Sequence, residues 1–116
     1  MKKLVFITCL SVAFTVQAQE IKPTFDRVGD LVKAVYYFED GTTFRQGFFK
    51  DNKLSGKWTE FDRDGNKVAV GYYKNGRKVG TWFYWKENTL RQVDYKNNAI
   101  VSVNTWREDT KVAANK

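Results

Sequence analysis

Glu60, Asp62 and Asp64 are the residues of this sequence whose types and spacing come nearest to catalytic chemistry. Alternate residues of a strand share a face, so the three carboxyls could converge, and a carboxyl pair at suitable separation is what glycoside hydrolysis requires. A plainer reading competes with this one. Asp62-Arg63-Asp64-Gly65-Asn66 is built from residues that favour hairpin turns, with its charges solvated. The stretch does not fit a calcium loop either, which needs Gly at the sixth position and a bidentate Glu at the twelfth. Counted from Asp62, Gly65 is fourth and Tyr73 twelfth. The chain contains no histidine and a single cysteine, Cys9, so the usual general base, the commonest metal ligand and the nucleophilic triads built on them are missing. The expectation is no catalytic residue, no metal and no cofactor, with a carboxylate hydrolase as a distant alternative.

The chemistry that remains is binding by charge and stacking. Lys50, Lys53, Lys57, Lys74, Arg77, Lys78 and Lys96 fall in or beside turn signals at corresponding places along the chain. Interleaved with Trp and Tyr, such a stripe could hold an anionic polysaccharide, lipid headgroups or nucleic acid. The candidate binding residues are Trp58, Trp82, Trp85, Tyr73, Tyr84, Lys57, Arg77 and Lys78. Two ordinary roles compete with that reading. Turn lysines keep sheet edges from pairing with other chains, and cross-strand aromatic pairs hold sheets together.

The N-terminus reads as a targeting segment. Lys2 and Lys3 precede an apolar run from Leu4 to Val16, closed by Val16-Gln17-Ala18 with small residues where a signal peptidase needs them. Cleavage is expected after Ala18, or after Gln19. A run of thirteen residues is too short for the roughly 20 that span a bilayer. Phe6-Ile7-Thr8 before Cys9 is not a lipidation site, so no anchor is expected after removal. The mature chain would be thiol-free, and loss of Lys2 and Lys3 would leave 18 basic against 13 acidic residues, a net charge of +5. The expected location is periplasmic or secreted.

The elements that must position the binding residues are set by an internal repeat. Gly47 aligns with Gly71, Phe48-Phe49-Lys50 with Tyr72-Tyr73-Lys74, Asn52 with Gly76, Gly56 with Gly80, Trp58 with Trp82 and Phe61 with Trp85, each pair 24 residues apart. Asp40-Gly41 and Asp64-Gly65 keep the same spacing. After Trp85 the register slips by two, so that Tyr95-Lys96-Asn97-Asn98 echoes Tyr73-Lys74-Asn75-Gly76. Thr105-Trp106 then stands 24 residues after Thr81-Trp82, as in a decaying terminal unit.

Each unit holds two aromatic-rich runs of five to seven residues between turn signals, which leaves no window for a helix. Asn-Gly and Asp-Gly pairs mark tight hairpins, and hairpins make antiparallel neighbours. The one proline, Pro23, lies ahead of the repeats. These features predict an all-β fold, an antiparallel meander of about seven short strands in a single elongated or curved sheet. In Gly80-Thr81-Trp82-Phe83-Tyr84-Trp85, consecutive large aromatics must point to opposite faces.

Gly71 to Trp82, reading Gly-Tyr-Tyr-Lys-Asn-Gly-Arg-Lys-Val-Gly-Thr-Trp, resembles MORN repeats, and more closely the bacterial variant in YwqK-type antitoxin-like proteins. The resemblance covers about residues 36 to 106, some two and a half units. Trp58 and Trp82 replace the glycine that the usual MORN unit has two places after the Gly80 position, as the bacterial variant does. The resemblance implies an elongated antiparallel meander and brings no catalytic residues.

The expected organisation is a signal peptide over 1–18, a lead-in over 19–30, the repeat domain over 31–106 and a flexible tail over 107–116. The expected role is a non-enzymatic exported module for protein–protein interaction or scaffolding through an aromatic sheet face. The alternative is binding of an envelope carbohydrate or anionic surface through Trp and Tyr with turn Lys and Arg. The partner is thus an unknown protein or an envelope glycan, and nucleic acid is not expected for an exported chain.

Overall fold

A computed structural model describes residues 21–107. The expected signal peptide over 1–18, residues 19–20 and residues 108–116 of the expected tail lie outside the described residues. The remainder is a single antiparallel sheet and contains no helix. Its strands are β1 (Thr24–Val28), β2 (Leu31–Tyr37), β3 (Thr43–Lys50), β4 (Lys53–Leu54), β5 (Gly56–Phe61), β6 (Lys67–Lys74), β7 (Arg77–Lys86), β8 (Thr89–Lys96) and β9 (Ala99–Arg107). Neighbours in the sheet follow chain order, β1-β2-β3-β5-β6-β7-β8-β9, with β4 paired to β3. The sheet is open, and β1 and β9 are its edges.

The count exceeds the expected seven for two reasons. The lead-in carries a strand of its own, β1, so the sheet begins at Thr24 rather than near residue 31. The strand facing β3 is interrupted at Ser55, whose N–H donates to Phe48 O at 2.9 Å, and Gly56 follows at φ 87°. Twenty-four residues on, Gly80 has φ 68° inside β7, where the pairing with β6 also shifts.

Turn chemistry explains both the period and its slip. At one end of the sheet Asp51-Asn52, Asn75-Gly76 and Asn97-Asn98 each place two consecutive residues at positive φ, the signature of the two-residue turn that matches strand twist. Gly76 N donates to Leu54 O at 2.8 Å and Asn98 N to Lys78 O at 2.9 Å, so successive turns are tied together. At the other end two five-residue loops, 38–42 and 62–66, share one geometry. Phe38 N donates to Thr42 O (2.8 Å) and Gly41 N to Phe38 O (3.0 Å), and Asp62, Asn66 and Gly65 repeat those bonds at 2.9 and 3.1 Å. The third connection closes Lys86 onto Thr89 with one residue fewer and lacks the bulge that the first two have at Tyr36/Tyr37 and Glu60/Phe61, which together account for the two lost residues.

Four two-strand units result: β1-β2, β3 with β4 and β5, β6-β7, and β8-β9. Strand pairing aligns one residue of each strand into a column across one face: Phe25, Ala34, Gly47, Trp58, Gly71, Trp82, Val93 and Val103. Ala34, Trp58, Trp82 and Val93 from this column, with Ala69, form the buried apolar core. Trp106 is not in the column. It stands opposite Leu90 on the other face, and Val103 takes the position held by Trp58 and Trp82, because the pairing of β8 with β9 slips by one residue where that of β6 with β7 slips by two.

Candidate functional site

The face carrying the core column is an aromatic cluster. Tyr73 of β6 stands edge-on between two indoles, 5.7 Å from Trp58 and 5.0 Å from Trp82 between ring centroids. Tyr84 stacks on Trp82 at 6.0 Å and 21°, and Tyr95 meets it edge-on at 6.0 Å. The indole N–H groups are satisfied, Trp82 Nε1 donating to Tyr72 O at 3.1 Å and Trp58 Nε1 to Glu60 Oε1 at 3.0 Å. Trp58 is 6% and Trp82 2% exposed. Neither ring can offer a face to a ligand.

Two cations complete this cluster. Lys78 Nζ lies 4.9 Å from the Trp82 ring, 5.1 Å from Tyr95 and 5.7 Å from Tyr84, and donates to Tyr84 Oη at 3.1 Å. Tyr84 and Tyr95 share a hydroxyl hydrogen bond of 3.0 Å. The Arg45 guanidinium lies 4.9 Å from Tyr36, 5.1 Å from Phe44 and 5.8 Å from Trp58. Such placements attract a cation to the ring quadrupole. Arg45 Nε is buried and finds no hydrogen-bond partner among the described residues. Burial pushes the hydroxyls of Tyr73, Tyr84 and Tyr95 above the ordinary tyrosine range, because loss of water disfavours the phenolate. Of the sequence-derived candidates, Trp58, Tyr73, Lys78, Trp82 and Tyr84 therefore meet here and are consumed in packing.

Lys57 and Trp85 belong to the opposite face. There Lys33, Lys57 and Lys67 ring a shallow depression of about 210 Å³ whose floor includes Gln46, Phe48, Thr59 and Phe61. Among the described residues no carboxylate lines it. Arg77 lies at the turn end of the sheet, where it lines a second depression of about 350 Å³ with Lys53, Lys74, Asn75 and Asn97. The basic stripe expected from turn spacing is thus split three ways: into the aromatic cluster, the depression on the opposite face, and the turn edge.

Further along the Lys57 face, Trp85 of β7, Leu90 of β8 and Trp106 of β9 are successive cross-strand partners. Trp85 is 37% and Trp106 49% exposed, and Phe83 stacks on Trp85 at 6.0 Å. This ledge runs onto the edge strand, in which all nine residues are exposed. Ile100, Val101 and Val103 add apolar surface there. β9 is fastened to the sheet by side chains as well as backbone: Asp94 accepts from Ser102 Oγ at 2.6 Å and from Thr81 Oγ1 at 2.7 Å. Those two hydrogen bonds hold the Asp94 carboxyl below its ordinary range. The exposure of β9 was hidden in sequence, because Trp106 stands 24 residues after the core residue Trp82.

Two of the three carboxylates that could have suggested hydrolysis are otherwise engaged. Glu60 holds the Trp58 indole, and Asp62 Oδ1 accepts from the backbone N–H of Asp64 and of Asn66, both at 2.9 Å. Asp64 is exposed in the same turn. Among the described residues no group of His, Cys, Asp and Glu is arranged to hold a metal ion. The chain matches no protein-family model and none of the curated proteins searched.

Proposed function

We propose that this chain is a non-enzymatic, exported interaction module of MORN-like architecture that docks a protein partner at the β9 end of its sheet. The carrying observation is β9 itself, nine exposed residues with Ile100 61%, Val101 66%, Val103 49% and Trp106 49% accessible. A free strand edge offers a row of backbone donors and acceptors to an incoming strand, with side-chain contacts on either face adding selectivity. Trp85 and Leu90 extend the contact onto the face beyond β9. Export rests on the N-terminal pattern of Lys2 to Ala18. The engagement of Glu60 and Asp62 in structural hydrogen bonds supports the non-enzymatic reading. Capture of partners from envelope extract tests the docking. Trp106→Ser and Val103→Lys are expected to abolish retention, whereas Arg77→Ser is expected to leave it intact; equal retention by all variants refutes the β9 site.

A second reading is favoured by the three convergent lysines without a carboxylate among them. Lys33, Lys57 and Lys67 suit an anionic envelope glycan or lipid headgroup, whose charge they would meet beside Phe48 and Phe61. Retention on a polyanionic glycan matrix, lost in Lys33→Glu/Lys57→Glu and kept in Val103→Lys, would select this reading over the first.

A further inference from the structure

Two edges of the sheet are complementary in a way that the internal repeat defines. Within the chain, strands meet in two alternating relationships. One is the hairpin inside a unit, and the other joins the second strand of a unit to the first strand of the next, as in β2-β3, β5-β6 and β7-β8. The sheet begins with the first strand of a unit, β1, and ends with the second strand of a unit, β9. A second copy placed so that its β1 follows β9 would make another junction of that same kind.

We infer that the partner of β9 is β1 of a second copy of this chain, and that molecules associate head to tail into an extended sheet. The inference rests on the reading of β9 as the docking edge. In each internal junction the column residue of one unit faces that of the next: Ala34 faces Gly47, Trp58 faces Gly71 and Trp82 faces Val93. The same rule sets Val103 against Phe25 of the second copy, flanked by Ser102 against Asp26 and Asn104 against Thr24. Val103 is 49% and Phe25 58% exposed, so the pairing covers apolar surface on both edges.

Direction and chemistry agree with this arrangement. β9 leaves the Asn97-Asn98 turn end of the sheet, and β1 arrives at that end, so the two are antiparallel. From Ala99 to Trp106, β9 carries no charged residue and no proline, the devices by which edges usually avoid pairing. Stacked-repeat proteins that end as single molecules close with a polar terminal unit. Here the last strand among the described residues presents Ile100, Val101, Val103 and Trp106 instead. An interface between two different surfaces of one molecule repeats without closing unless its rotation returns to the start, so growth by one molecule at a time is expected.

Sedimentation velocity of the protein as the cell processes it tests the inference, using Phe25→Lys to block β1 and Val103→Lys to block β9. Near-ultraviolet circular dichroism of the Trp58-Tyr73-Trp82 cluster checks that each variant is folded. Wild type should gain mass steadily with concentration. Each variant alone should be monomeric, with association weakened about tenfold or more. An equimolar mixture should stop at the two-chain species, because only one compatible pair of edges remains. Thr24→Lys and Asn104→Lys, which project from the opposite face, should repeat the pattern if either first variant misfolds. Dimers of Phe25→Lys alone would overturn head-to-tail pairing in favour of a two-fold β9 contact, leaving β9 as a docking edge. A wild type that stays monomeric up to the order of 1 mM would overturn self-association altogether. Envelope capture by wild type but not Val103→Lys would then still uphold β9 docking to another protein.

Discussion

The Trp82 indole fills the space into which a side chain at Gly71 would project: a Cβ there would lie 1.9 Å from Trp82 Cδ2. Gly47 and Trp58 repeat the relationship one unit upstream, at 2.2 Å to Trp58 Cε3. Neither glycine has a positive φ, so these positions are glycine for space rather than for backbone freedom. The indole lies flat against bare backbone, which is how a sheet with no second layer buries a tryptophan. Gly71→Ala is expected to destabilise the fold by roughly 1–3 kcal/mol, the usual cost of overpacking, measured by chemical denaturation. In a Trp82→Val background the cost of Gly71→Ala should largely vanish, because the last unit already accommodates Val93 opposite Val103. An undiminished cost in the double variant would mean that backbone conformation, not the indole, demands glycine.

The homologous turns differ in how they satisfy the left-handed backbone. Gly76 has φ 78°, and Gly76→Ala should cost about 1–2 kcal/mol, the penalty of a Cβ in that region. Asn52, at φ 64°, should become more stable as glycine by at most about 1 kcal/mol. Asn98, at φ 69°, should not follow it, since its Oδ1 accepts from Lys78 N at 2.7 Å. Loss of that bond should make Asn98→Gly destabilising by about 1 kcal/mol. Thermal denaturation of the two Asn→Gly variants under one buffer condition compares the signs directly.

How far the sequence foretold this structure depends on which constraint was local. The 24-residue period, the paired positive-φ turns at Asn75-Gly76 and Asn97-Asn98, and the antiparallel meander were legible because turn residues and aromatic runs sit at fixed offsets. Strand β1 was not, because Thr24-Phe25-Asp26-Arg27-Val28 mixes charge with apolar residues and lacks the glycine of later units. The fate of Lys78 was also hidden. Turn spacing made it a surface charge, while the cross-strand arrival of Tyr84 and Tyr95 surrounds it with rings. The two-residue loss before Thr89 was visible as a register slip, but a second shift was not: the pairing of β8 with β9 slips by one residue where that of β6 with β7 slips by two, and this odd difference moves Val103 into the column and turns Trp106 to the other face.

Titration should report the aromatic cluster. Tyr73, Tyr84 and Tyr95 hold their protons above the ordinary value of 10.0, chiefly through burial. The folded chain therefore binds these protons more tightly than the unfolded chain. Stability should be intact below pH 10.0 and fall as pH rises from there through the raised folded values. Tyrosinate absorbance should show a late component that shrinks in Tyr84→Phe and in Tyr95→Phe. The sign reverses at Asp94, whose carboxyl is lowered by its hydrogen bonds to Ser102 and Thr81. Its contribution is present above the ordinary value of 3.8 and is lost as pH falls through the depressed one. Amide exchange in β9 should accelerate over that acid range, and Asp94→Asn should show fast exchange at neutral pH.

The four tryptophans divide by face and edge, and quenching can read that division. Trp58 and Trp82 are 6% and 2% exposed, beneath Tyr73, Tyr84 and Lys78, while Trp85 and Trp106 are 37% and 49% exposed. Iodide should therefore quench only part of the emission, and Trp85→Phe/Trp106→Phe should remove most of that accessible part. Because Trp106 projects from β9 beside the proposed junction, raising the protein concentration should protect it further. Val103→Lys should keep it accessible at every concentration. Iodide access to Trp58 or Trp82 in the folded protein would show that the cluster opens, and would return those rings to the surfaces available for binding.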